Sequence, residues 1–129
     1  APAFQLPDLD GNQVSLADHK GKRTMLLFWN PGCGFCKRMV EDVQRFESAP
    51  PANAPELILV STGTPEANRE FGLGSKTVLD QGFNVGRQYG ASGTPSAVLI
   101  DEKGKIASEV AVGAPNVLAL AGVPEKQSV

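Results

Sequence analysis

Two cysteines separated by two residues stand at the head of an amphipathic stretch and just behind an unbroken apolar run, and no other feature narrows the possible folds as far. The run Thr24-Met-Leu-Leu-Phe-Trp29 has the composition of a strand buried on both faces. From Cys33 onward, Cys36, Met39, Val40, Val43 and Phe46 recur at three- and four-residue intervals, with Lys37, Arg38, Glu41, Asp42 and Arg45 between them. That periodicity predicts a helix with one apolar face, beginning at the cysteines. A strand with no polar face must be covered from both sides, so the pair points to an α/β layered arrangement.

The remaining segments extend the same pattern. Phe4–Leu6 and Gln13–Ser15 flank the turn signal Asp10-Gly11 and predict an N-terminal β-hairpin. Ser48 to Pro55 is crowded with Pro, Ala and Asn and reads as an exposed connection. Leu57–Val60 is a second buried strand, Pro65-Glu66 opens a helix, and Thr77–Leu79 is a shorter strand. A weak helix over Phe83–Tyr89 leads to the strand Ser96–Ile100, which turns at Glu102-Lys-Gly104 into Ile106–Val112 to close an antiparallel hairpin. Asn116–Ala121 supplies a last short helix. Together these predict a mixed β-sheet flanked by helices on both faces, with an N-terminal β-hairpin, in one domain spanning residues 1–129.

Charge and cysteine count remove several function classes. A formal net charge of -2 offers no basic field for a phosphate backbone, so nucleic acid is not expected as a partner. No apolar run approaches the roughly 20 residues that cross a bilayer. The chain opens on Ala-Pro-Ala-Phe rather than Met, which fits a mature form whose export signal or membrane anchor has been removed. Two cysteines are too few for a disulfide-stapled scaffold or a four-ligand zinc site, so their use is expected to be chemical, with no metal bound.

Three apart at a helix start, Cys33 and Cys36 lie on one face within disulfide range. The unpaired N–H groups and dipole of a helix N-terminus favour an anion by up to ~2 kcal/mol, which lowers the first thiol from its ordinary value and makes it a nucleophile near neutral pH. As a stabilising staple the pair would contribute only roughly 2 kcal/mol, because so short a loop has little closure entropy. Redox cycling between dithiol and disulfide explains the spacing better.

Phe28-Trp-Asn-Pro-Gly-Cys-Gly-Phe-Cys-Lys37 resembles the strand-then-CxxC signature of thioredoxin-like proteins. Phe4–Gly11 with Val14-Ser-Leu16, and Gly90-Ala-Ser-Gly-Thr-Pro-Ser-Ala-Val-Leu-Ile-Asp101, resemble the N-terminal hairpin and cis-proline loop of the TlpA-like, cytochrome-maturation branch, the redoxins. The resemblance implies a thioredoxin-like fold and a thiol–disulfide oxidoreductase that exchanges disulfides with protein partners. Cys33 and Cys36 would be catalytic, with the Cys33–Cys36 disulfide as the redox group and no other cofactor. Thr94 and Pro95 would bind substrate through a cis peptide bond, and Trp29 would shield the site or simply pack in the core. Further expectations are a monomeric soluble domain, tethered to a membrane in some full-length form, an upstream protein donor or acceptor of electrons, and an extracytoplasmic location.

Three positions depart from the family pattern. Gly32 replaces the aromatic usually found before the first cysteine, Leu27 stands where thioredoxins carry a buried acid, and Met39 where some TlpA-like reductases carry Glu. The usual proton acceptor for the second thiol is therefore missing at both places. Two rival functions remain. Pro31-Gly-Cys33 resembles the peroxiredoxin loop, although Asn30 stands where a thiol peroxidase needs Thr or Ser, and a CxxC pair alone suffices chemically for a Cu(I) metallochaperone. Lys37 reads as a solvated helix charge and His19 as a surface residue, neither a ligand nor a base.

Overall fold

Strand β3, Thr24–Trp29, is buried at all six positions, and the alternation of its side chains divides the interior in two. Leu26 and Phe28 point into one apolar cluster, while Met25, Leu27 and Trp29 point into the other. The computed structural model describes residues 2–52 and 54–122. Ala1, Asn53 of the expected connection, and the tail from 123 lie outside them.

The first cluster is closed by the N-terminal hairpin, whose strands β1 (Gln5–Pro7) and β2 (Gln13–Ser15) pair antiparallel, and by α3 (Asn84–Gln88). The second is closed by α1 (Gly34–Ser48), which buries Cys36, Met39, Val43 and Phe46, and by α4 (Ala114–Leu120) through Val117. Burial of side chains this size contributes about 1.5–3 kcal/mol each, so the apolar stripe rather than helix propensity holds α1 in place. Between the layers runs a five-stranded sheet in the order β5-β4-β3-β6-β7. Strands β4 (Glu56–Ser61) and β5 (Lys76–Leu79) run parallel to β3, while β6 (Ser96–Ile100) and β7 (Ala111–Val112) complete its antiparallel side. Helix α2 (Pro65–Arg69) opens on Thr64, whose side chain accepts from the Ala67 N–H. The fold is the α/β arrangement expected, with a thioredoxin-like mixed sheet and a separate hairpin.

Local departures have visible causes. The hairpin arm expected over Ile106–Val112 is broken: Ile106 bridges Ile100, but Leu99 N–H is taken by the Ser108 hydroxyl, and pairing resumes only at Ala111. The weak helix begins at Asn84 because Phe83 adopts a left-handed conformation, φ 60°, with its ring edge-on to Phe28. Helix α1 takes in Ser48, and α4 starts two residues early, with Pro115 in its first turn. His19 is also more covered than a surface residue, its side chain 14% exposed and 3.2 Å from Glu56.

Candidate active site

Where β3 ends, Asn30 folds the chain back on itself. Its side-chain oxygen accepts the Gly32 N–H at 2.8 Å and its carbonyl accepts the Cys33 N–H at 3.0 Å, which closes the Asn-Pro-Gly turn from both ends. The turn delivers Cys33 as the N-cap of α1, in extended conformation at φ −84° and ψ 121°. Its sulfur occupies the place of a capping oxygen and accepts the Cys36 N–H at 3.4 Å. A 15-residue helix thus directs its positive end at Cys33, and no acidic residue in the first turn opposes it.

The two thiols differ in surroundings. Cys33 is half-buried, with its sulfur 3.5 Å from the Thr94 carbonyl. Burial alone would raise its pKa, but hydrogen bonding from the Thr94 side chain and from the Cys36 and Phe35 main chain outweighs burial and holds the thiol below its ordinary value. Cys36 is fully buried, and burial first, then the neighbouring Cys33, pushes it up to about 12 despite a main-chain hydrogen bond from Asn30. Leu27 and Met39, each about 1% exposed, share its apolar cluster. Asp8 and Asp80 are the buried carboxylates among the described residues, and Asp80 at the end of β5 has its oxygens committed to Val85 and Gly86 N–H groups. Among the described residues, no carboxylate is one of the groups that act on Cys36.

The other expected site residues fall on two sides of the sulfurs. Thr94 and Pro95 lie at the start of β6, joined by a cis peptide bond, with Thr94 facing Cys33. Pro95 itself is buried and its carbonyl accepts the Gly113 N–H at 3.0 Å, so Thr94 is the more outward of the two. Trp29 is completely buried beside Cys36, its ring edge-on to Phe71 at 5.6 Å between centroids. It belongs to the interior cluster that holds Cys36 and against which Cys33 packs. Lys37 is exposed, and His19 sits beside the N-terminal end of β3, away from the cysteines. No group of three His, Cys, Asp or Glu side chains among the described residues could hold a metal ion.

One supporting element is not evident from the motif. After β4, the carbonyls of Thr62, Gly63 and Thr64 are each held by a side-chain amide: Asn68 Nδ2 donates to Thr62 and Thr64 at 2.9 and 2.8 Å, and Gln81 Nε2 donates to Gly63 at 2.7 Å. Ser61 donates its hydroxyl to Asn68 Oδ1 at 2.5 Å beneath them. Gly63, at φ 82°, lies against Pro31, where a Cβ would come 3.4 Å from the ring. The clamped loop is therefore a shelf for the turn that presents Cys33. A buried Asn four residues after a Thr N-cap is the only sequence trace of it.

Comparison with known proteins agrees with this geometry. The family model described as AhpC/TSA matches residues 1–109. The thiol-disulfide oxidoreductase ResA of Geobacillus thermodenitrificans is 33% identical over 82% of this chain, which spans 64% of that relative's length. Among solved structures, the thioredoxin domain of a thiol-disulfide oxidoreductase from Bacteroides vulgatus superposes with a TM-score of 0.72 at 28% identity, covering 92% of this chain and 90% of that one. StoA from Bacillus subtilis gives 0.74 at 25% identity, covering 94% and 95%.

Proposed function

Since the chain belongs to the AhpC/TSA family, we propose that it is a thiol–disulfide oxidoreductase acting on protein partners, with Cys33 as nucleophile and Cys36 as resolving thiol. The observation that carries this is the unlike pair itself: a half-exposed sulfur at a helix N-terminus, with a buried thiol within hydrogen-bond reach. The Cys33 thiolate attacks one sulfur of a partner disulfide, forming a mixed disulfide and expelling the partner's other sulfur as thiolate. Cys36 then gives up its proton and attacks the Cys33 sulfur, so that the internal disulfide forms and the reduced partner leaves. Run backward, the same steps oxidise a dithiol.

Thr94 and Pro95 line the approach to Cys33, and Trp29 keeps water from Cys36. The redox group is the Cys33–Cys36 pair, with no further cofactor in the cycle. An extracytoplasmic setting, a partner protein that resets the disulfide, and a monomeric domain complete the proposal, drawn from the resemblance to TlpA-like domains. Asn30 argues against peroxide as substrate, because it carries no hydroxyl and its side-chain oxygen is committed to Gly32.

Cys36→Ser should accumulate mixed disulfides with a protein disulfide substrate, visible on a non-reducing gel, while Cys33→Ser should form none. Equal trapping by both variants would reverse or remove the assigned roles.

A further inference from the structure

Phe35, between the two cysteines, is 65% exposed, the most exposed of the large hydrophobic side chains among the described residues. The helix places it at the second position after the Cys33 cap, so it projects beside the nucleophile rather than into the core. Exposed apolar surface of this size beside a reactive sulfur is unfavourable in the free protein and is relieved only when something covers it. One face of the ring is already engaged, since the Arg38 guanidinium carbon lies 5.3 Å from its centroid. A stacked guanidinium keeps its in-plane N–H donors free for a carboxylate. Arg38 makes no ion pair among the described residues, and neither does Lys37 beside it, although Arg45 on the same helix is paired with Asp42. Two unpaired cations and an open aromatic edge thus stand together at one side of Cys33.

Resting on the exchange activity above, we propose that the Phe35–Arg38 stack selects client proteins whose reactive cysteine is flanked by an acidic and an apolar residue. The client's apolar side chain covers the open part of the Phe35 ring while its carboxylate takes the guanidinium edge, with Lys37 adding to the attraction. Because Arg38 is held on the ring before binding, little side-chain freedom is lost when the carboxylate docks.

The test uses the reduced protein and three synthetic peptides, each with one cysteine capped as a mixed disulfide with mercaptoethanol, identical except for Asp, Asn or Lys beside a shared Leu-Cys. Hydroxyethyl disulfide serves as an uncharged reference. The rate of attack by Cys33 should fall in the order Asp, Asn, Lys, by about two- to fivefold per step at low ionic strength, and should level in high salt. With each peptide rate taken relative to the reference in the same variant, Arg38→Glu should invert the order, Arg38→Lys should keep it in weakened form, and Phe35→Ala should lower all three ratios. Equal rates for the three peptides with the wild type, or an order that survives Arg38→Glu, overturns the selection. Failure of the wild type to attack even the reference would instead remove the exchange activity on which it rests.

Discussion

The two sides of the active-site pair are built in opposite ways. Around Cys33 the chain supplies polar contacts: main-chain N–H groups from the first turn of α1, and Thr94 from the β6 loop. Around Cys36 it supplies Trp29, Leu27 and Met39, and burial there outweighs the hydrogen bonds from the Asn30 main chain and the Thr94 side chain. Sulfurs three residues apart on one helix are therefore driven in opposite directions, one thiol below its ordinary range and the other up to about 12. The difference separates attack from release. The outer thiol ionises more readily than an ordinary cysteine, while the inner one holds its proton until the mixed disulfide has formed and Cys33 no longer carries charge.

The contrast breaks most sharply if an acceptor is installed on the dry side. Met39→Glu places a carboxyl in the Cys36 wall, one turn further along α1, where its carboxylate can take the thiol's proton as a general base and should speed release of the partner near neutral pH by roughly a hundredfold. Wild-type turnover should keep rising toward alkaline pH after attack has levelled, because burial, which does not depend on the charge of Cys33, still holds the Cys36 proton in the mixed disulfide. The variant should flatten that rise in a stopped-flow pH series, at a cost of about 2–5 kcal/mol in stability for replacing a buried Met. An unchanged alkaline rise in a folded Met39→Glu would show that proton loss from Cys36 does not limit release.

The polar side breaks more gently. Asn68→Ala removes the side-chain donor shared by the Thr62 and Thr64 carbonyls and the acceptor of the Ser61 hydroxyl, which loosens the shelf under Pro31, so denaturant titration should show about 1–3 kcal/mol lost. Attack by Cys33 should slow with it, while Cys36 remains high. Smallest is Thr94→Val, which removes a side-chain hydrogen bond from the outer sulfur. The Cys33 pKa should move up toward its ordinary value and attack at neutral pH should slow by a few-fold, read from alkylation rates against pH.

Much of this was legible in the sequence because it is local. The CxxC spacing, the helix stripe from Cys36 to Phe46 and the six apolar residues of β3 each carry their own periodicity, and Leu27 and Met39 announced the absent acid by position. What escaped depends on contacts between distant segments. Gln81 reaches Gly63 across the end of the sheet, His19 finds Glu56 at the start of β4, and Ser108 replaces a main-chain partner for Leu99. None of these leaves a period or a motif. Phe83 was read as helical by composition, but packing against Phe28 and the close approach of Gly86, where a Cβ would meet the ring at 2.7 Å, hold it left-handed.

The separation of the two thiols is the claim from which the order of steps follows, and thiolate absorbance of the reduced protein measures it directly. Followed against pH in the wild type, in Cys36→Ser and in Cys33→Ser, it should show one thiol ionising below the ordinary cysteine range and a second not before strongly alkaline pH. The early step should vanish in Cys33→Ser. A Cys36 that ionises together with or ahead of Cys33 would contradict the account and require a base that the Trp29, Leu27 and Met39 wall does not contain.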